Sequence, residues 1–180
     1  MSNTEESKDP ADDLRLRGNF EFSNGNYDAA LSLYTAGLEQ ASKDHPNRVL
    51  LLCNRSATFF HQEQYEQAEQ DAEEAWSTSQ QQNVKAAFRL AKTQMALKKF
   101  EAAKQTIQAA TKLIDEQQQD DPKQRKAFDD LWQQVLNAAY EQHKQDESPK
   151  PPLNMLSAPC RFENSPRAKL WVMETFLRLL

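Results

Sequence analysis

Between residues 10 and 145 apolar side chains recur at three- and four-residue spacings, the period that sets one face of an α-helix against a core. Within that stretch one pattern occurs three times. Gly18 is followed by Tyr27, Ala30, Tyr34 and Gly37; Ser56 by Tyr65, Ala68, Ala72 and Ala75; Ala91 by Phe100, Ala103, Ile107 and Ala110. A small residue at each end lets two helices approach, and the aromatic and aliphatic positions between them fill the gaps. The pattern therefore predicts three helical hairpins stacked in a row. In the first, Asp9 serves as cap and Pro10 as the first helical residue, with a stop at Ser23-Asn24-Gly25 where glycine can take the left-handed turn. The second helix is expected from about Tyr27 to Ser42, with Ala30, Leu31, Leu33, Tyr34, Gly37 and Leu38 on its inner stripe.

Taking Gly18, Ser56 and Ala91 as equivalent gives offsets of 38 and 35 residues and unit starts near Ala11, Val49 and Val84. The spacing and the small–aromatic–alanine order resemble the tetratricopeptide repeat, whose unit is about 34 residues. That resemblance implies an all-α fold, a right-handed superhelical array of three tetratricopeptide (TPR) helical hairpins plus a capping helix. The units are expected at 11–48, 49–83 and 84–118. About four extra residues sit at Ala41–Asn47, around His45-Pro46, close to one helical turn. Some family members lengthen the second helix by this amount, and the resemblance extends that expectation here.

Residues 1–10 read as an acidic disordered tail. Asp120-Asp121-Pro122 begins another helix, expected at 122–145, with Phe128, Leu131, Trp132, Val135, Leu136 and Tyr140 at helical spacing. An array exposes its last apolar face unless something covers it, so a cap is the expected use. Residues 146–164, with Ser148-Pro149-Lys150-Pro151-Pro152 and Pro159, read as a proline-rich linker. A short apolar helix is expected at 165–180, carrying Leu170, Trp171, Val172, Phe176, Leu177, Leu179 and Leu180. Three uses stay open for it: a segment folded back on the array, a partner-binding helix, or the start of a second domain.

Composition narrows the function. The formal charge is −5, but residues 1–13 hold five acids against Lys8, a net of −4, so the rest of the chain sums to only −1. A locally basic groove is compatible with that balance, and no basic block points to nucleic acid. Cys53 and Cys160 lie far apart, which argues against a disulfide framework and for a reducing compartment. No signal-peptide core stands at the amino terminus, and the apolar end is too short and too charged to span a bilayer, so no membrane partner and a cytoplasmic, or also nuclear, location are expected. His45, His61 and His143 are scattered without ligand spacing, Cys53 sits in an apolar run, and no phosphate-binding loop occurs. No enzyme activity, cofactor or metal is expected.

What remains is a set of polar residues on the first helix of each hairpin. Arg15 and Asn19 are four apart and share a helix face; so do Lys85 and Arg89; Asn54 lies on the helix between. Three cations and two amides converging on one surface suit a carboxylate. Leu14-Arg15-Leu16-Arg17-Gly18-Asn19, Cys53-Asn54-Arg55-Ser56-Ala57 and Lys85-Ala86-Ala87-Phe88-Arg89 resemble the carboxylate-clamp tetratricopeptide cochaperones. In that family the five positions are Lys, Asn, Asn, Lys and Arg, matched here by Arg15, Asn19, Asn54, Lys85 and Arg89 with one lysine exchanged for arginine. The resemblance implies a peptide-carboxylate site for the Glu-Glu-Val-Asp terminus of heat-shock protein 90 and/or heat-shock protein 70 type chaperones, with a client protein contacted elsewhere. Phe22, Ala57 and Phe60 either line a pocket for the apolar residue before the acidic end or pack between helices. Two other readings stand beside the cochaperone. One is the targeting module of a prolyl isomerase, phosphatase or ubiquitin ligase whose catalytic domain lies outside this chain; the other is a scaffold that binds proteins through its convex face.

Overall fold

The computed structural model describes residues 9–117 and 121–147. Seven helices follow one another among them: α1 (Pro10–Ser23), α2 (Tyr27–Gln40), α3 (Arg48–His61), α4 (Tyr65–Thr78), α5 (Val84–Ala96), α6 (Phe100–Gln117) and α7 (Pro122–Glu147). The fold is all-α, a row of tetratricopeptide-type helical hairpins. Within it α1 pairs with α2, α3 with α4 and α5 with α6, while α2–α3 and α4–α5 join neighbouring hairpins. Of the tail expected at 1–10 and the linker expected at 146–164, residues 1–8 and 148–164 lie outside the described residues, as does the helix expected at 165–180, while residues 146 and 147 belong to α7.

The repeated small residues sit where the helices come closest. Ala30, Ala68 and Ala103 are wholly buried at equivalent positions, as are Ala75 and Ala110, and Ala72 is wholly buried where the other units have Tyr34 and Ile107. Gly18 of α1 shows the tightest approach. A Cβ built there would lie 2.4 Å from Cε1 and 2.7 Å from Cδ1 of Tyr34 on α2. Tyr34 is itself buried, so its ring has no free direction in which to yield.

All three hairpins turn in the same way. Gly25, Glu63 and Lys98 occupy equivalent positions and have φ of 79°, 60° and 59°, the left-handed region. In each case the next residue closes the helix end with a six-to-one hydrogen bond: Asn26 N–H to Glu21 C=O, Gln64 to Phe59 and Lys99 to Gln94, at 2.9, 2.9 and 2.8 Å. This is the Schellman ending. Only the first unit uses glycine for it, so the other two hold a side chain in a backbone conformation that L-residues resist.

The extra residues at 41–47 do not lengthen α2, as the family resemblance had suggested. Ala41 leaves the helix in an extended conformation (φ −86°, ψ 113°), and the segment forms a loop. Pro46 has no N–H for a helical bond and its ring excludes the helical shape from the residue before it. The loop instead braces the start of α1. Asp9 caps the helix through a 3.1 Å bond from Ala11 N–H, and its other oxygen takes the Asn47 amide at 3.1 Å and lies 3.2 Å from His45 Nε2. Lengthening occurs in the third hairpin, where α6 runs 18 residues against 14 for α2 and α4.

α7 lies against the last hairpin. Phe128, Leu131 and Val135 are buried, Phe128 meets Phe88 of α5 edge-on at 5.4 Å, and Arg125 reaches Asp115 of α6 at 2.6 Å. Leu136 and Tyr140, expected on the same stripe, are instead exposed. They border an open hollow shared with Phe100 and Lys104 at the start of α6.

Two measurements probe these features. Gly18→Ala should destabilise the array by about 1–3 kcal/mol despite alanine's better helix propensity, read as a fall in urea midpoint. Lys98→Gly should act the other way, raising stability by about 0.5–1 kcal/mol, because the side chain is exposed and the turn is left-handed.

Candidate functional site

A hollow of about 300 Å³ opens where α1, α2, α3 and α5 face one another, lined by Arg15, Asn19, Phe22, Tyr34, Leu50, Asn54, Ala57, Lys85 and Arg89. The five polar residues singled out from sequence thus share one cavity. Helical spacing explains how: Arg15/Asn19 and Lys85/Arg89 are each one turn apart on the inner faces of α1 and α5, and Asn54 comes from the middle of α3 between them.

A chain of hydrogen bonds fixes the amides. Lys85 Nζ donates to Asn54 Oδ1 at 3.0 Å, and Asn54 Nδ2 donates to Asn19 Oδ1 at 2.8 Å. Tyr34 Oη donates to the same Asn19 oxygen at 2.8 Å. Both amide oxygens are therefore occupied from within the protein. The Asn19 amide hydrogens remain available, beside the cations. Tyr34 belongs to the repeat framework by its sequence position and to the site by its hydroxyl. Burial pushes its pKa up to about 12, so it stays a donor at any physiological pH.

The cations differ in how they are held. Arg15 gives Nε and Nη2 to Asp12 Oδ1, one helical turn back, at 3.0 and 2.6 Å. Its Nη1 carries no hydrogen bond among the described residues. Arg89 has a buried Nε without a hydrogen-bond partner among the described residues, an arrangement that costs free energy. Loss of water around Lys85, reinforced by Arg89 and Arg15, holds its ammonium below the usual lysine range. Burial lowers Arg89 in the same direction. Behind them Cys53 is fully buried, and burial pushes its thiol up to about 11 despite the two nearby cations. Neutral at ordinary pH, it packs rather than reacts.

Phe22 and Ala57 line the hollow, but Phe60 does not. Its ring faces Tyr65 edge-on at 5.3 Å and lies under the Lys92 ammonium, 4.5 Å from the ring centroid. Position 60 is three residues beyond Ala57, and α3 has carried it past the cavity wall toward α4 and α5. Arg55, adjacent to Asn54, points away as well. It makes a two-pronged pair with the buried Asp71 of α4, both bonds 2.7 Å, and reaches Thr35 of α2 at 3.3 Å. The pairing keeps Arg55 protonated while burial raises Asp71, so Arg55 braces hairpins rather than facing the hollow. Leu50 also lines the hollow; it lies one turn before Asn54 on α3, within the apolar run Val49-Leu50-Leu51-Leu52, whose composition alone points to packing.

Among the described residues no three His, Cys, Asp or Glu side chains gather where they could hold a metal ion. No described helix is long and apolar enough to cross a membrane.

Comparison with known proteins accords with this architecture. Two family profiles, both described as tetratricopeptide repeat, match residues 14–81 and 59–127. The chain is 33% identical over 100 residues to human tetratricopeptide repeat protein 12, covering 56% of this chain and 14% of that one. It is 36% identical over 72 residues to the small glutamine-rich tetratricopeptide repeat-containing protein 2 of Saccharomyces cerevisiae, covering 40% and 20%. The chain thus spans a fifth or less of the length of these curated relatives. Among solved structures, the first TPR of Spaghetti (RPAP3) bound to the HSP90 peptide SRMEEVD has a TM-score of 0.59 at 28% identity, covering 72% of this chain and 96% of that one. The TPR2B domain of yeast Sti1, in complex with an Hsp70 peptide, shares the fold with a TM-score of 0.64 at 23% identity, covering 71% and 97%. With the two matches together running from residue 14 to residue 127, over the three hairpins and the start of α7, this chain belongs to the tetratricopeptide repeat family.

Proposed function

We propose that this protein is a cochaperone-type adaptor that holds the acidic C-terminal peptide of heat-shock chaperones, of the Glu-Glu-Val-Asp kind, in the hollow between α1, α3 and α5. In this reading Arg15, Asn19, Asn54, Lys85 and Arg89 form the carboxylate clamp, and Phe22 and Ala57 receive the apolar residue before the terminal Asp. Phe60 has no part in that pocket.

The observation that carries the reading is the pairing of a donor-only lining with an unsatisfied cation. Asn19 has spent its oxygen on Tyr34 and Asn54, Asn54 has given its own to Lys85, and the buried Arg89 Nε lacks an acceptor among the described residues. Two carboxylates on one residue, the terminal group and the Asp side chain, supply acceptors to match. Hydrogen bonds to charged groups contribute about 1.5–3 kcal/mol each, and ordering a flexible tail takes back part of that gain. A net of about −7 to −8 kcal/mol corresponds to micromolar binding, which suits a reversible tether. Similarity to an array that was solved with an HSP90 peptide adds support from outside the geometry. The three cations line a cavity rather than a deep channel, so salt should weaken the attraction.

The repeat family is one of protein-interaction modules, and nothing in the matches indicates an enzymatic family. Cochaperone activity within a larger protein is compatible with the short span that the chain covers in its curated relatives.

Titration with a peptide ending in Glu-Glu-Val-Asp against its C-terminal amide tests the clamp. The free acid should bind at least tenfold more tightly, and Lys85→Ala with Arg89→Ala should abolish binding while leaving the helical circular dichroism unchanged. Equal affinity for acid and amide would remove the clamp from consideration. The pH profile carries a sign as well. Lys85 and Arg89 are held below their usual ranges, so affinity should fall as pH rises toward the lowered Lys85 value, and an anion in place should draw that value back up.

A further inference from the structure

The clamp as described stops at Arg89, but the charge on α5 does not. This helix has three cations, Lys85, Arg89 and Lys92, and no acidic residue. They fall at i, i+4 and i+7, which keeps them on one face. None of the three has a carboxylate partner among the described residues. Cations nearby are neutralised: Lys99 pairs with Glu69 at 2.6 Å, Lys104 with Glu101 at 2.7 Å, Arg48 with Glu74 at 2.6 Å and Arg55 with Asp71 at 2.7 Å. The inner face of α5 is thus a stripe from which counter-charges have been left out.

Lys92 is also placed, rather than merely exposed. Its ammonium rests 4.5 Å above the Phe60 ring centroid, a cation–π seat that restrains a side chain with many rotamers. Dehydration at this seat, and then Arg89, lower its pKa. The aromatic floor continues beside it: Phe22 lies edge-on to His61 at 5.3 Å, and His61 stacks on Tyr27 at 5.1 Å. Phe22 is already a wall of the hollow, so this floor connects with the clamp cavity.

We infer that Lys92, seated on Phe60, is a second anion station that takes the side-chain carboxylate of an acidic residue upstream of the peptide terminus. The inference rests on the clamp reading above, because the register is counted from the terminal carboxylate. Helical rise is about 1.5 Å per residue, so Lys92 stands about 7.5 Å along α5 from the midpoint of Lys85 and Arg89. An extended peptide advances about 3.3 Å per residue, and the same distance spans about two residues. Lys92 therefore meets the residue two before the terminal Asp, the second Glu of Glu-Glu-Val-Asp. The first Glu lies a further residue out, on the opposite side of the extended strand.

Four peptides decide it: one ending Glu-Glu-Val-Asp, its C-terminal amide, and the two single exchanges Glu-Gln-Val-Asp and Gln-Glu-Val-Asp. Each is titrated calorimetrically against the wild-type chain, Lys92→Gln and Lys92→Arg. In wild type, Glu-Gln-Val-Asp should bind about threefold to tenfold more weakly than Glu-Glu-Val-Asp. Lys92→Gln should erase that difference, Lys92→Arg should keep most of it, and Gln-Glu-Val-Asp should not respond to position 92. Loss of affinity in Lys92→Gln that is equal for all peptides, or no loss at all, overturns the assignment. Discrimination between acid and amide reports on the clamp separately. A working clamp beside a silent Lys92 sinks only this inference, and equal binding of acid and amide sinks both.

Discussion

The site depends on where two asparagine oxygens point. Asn19 Oδ1 accepts from Tyr34 and from Asn54, and Asn54 Oδ1 accepts from Lys85, so one short chain of bonds ties α1, α2, α3 and α5 together. An asparagine free to rotate would present donor or acceptor with equal ease. Held in this way, it presents only hydrogens to the hollow. The cavity acquires a single electrical character from neutral residues as well as charged ones, and that character is set before any ligand arrives.

The same bonds make fold and site inseparable. Tyr34 reaches Asn19 because its ring passes beneath α1 at Gly18, where a Cβ would stand within 2.4 Å of it. Gly18 and Tyr34 are framework positions of the repeat, present for helix packing in the sequence pattern. In the first hairpin the packing residue is also the residue that orients an amide. Arg55 plays the complementary part on the other side of α3, bracing α4 through Asp71 so that Asn54 is delivered inward.

Much of this was legible in the sequence. Helix positions followed from apolar spacing, and the convergence of Arg15, Asn19, Asn54, Lys85 and Arg89 followed from counting turns along helices whose order was set by the repeat. What escaped has physical reasons. Spacing places Tyr34 in the core because burial and a polar tip coexist in one side chain, and periodicity reports only the burial. Phe60 shares a helix face with Ala57, but facing alone does not say where a cavity ends. The extra residues at 41–47 have the length of one turn, which spacing does not distinguish from a helical extension, while Pro46 and the Asp9–Asn47 bond decide for a loop. Leu136 and Tyr140 have the right period for burial, yet they border an open hollow beside the start of α6 rather than a packed seam. The exposed left-handed turns at Glu63 and Lys98 are invisible to pattern, since only the first unit marks the position with glycine.

An arginine rather than a lysine at position 15 has one more implication. A lysine offers a single mobile charge, which Asp12 would capture whole. The flat guanidinium of Arg15 gives Asp12 one edge and keeps a corner in reserve. Asp12 thereby freezes the side chain when the protein folds, and the rotamer entropy is already lost by the time a guest docks. A slightly dimmed charge, immobilised in advance, lines the hollow.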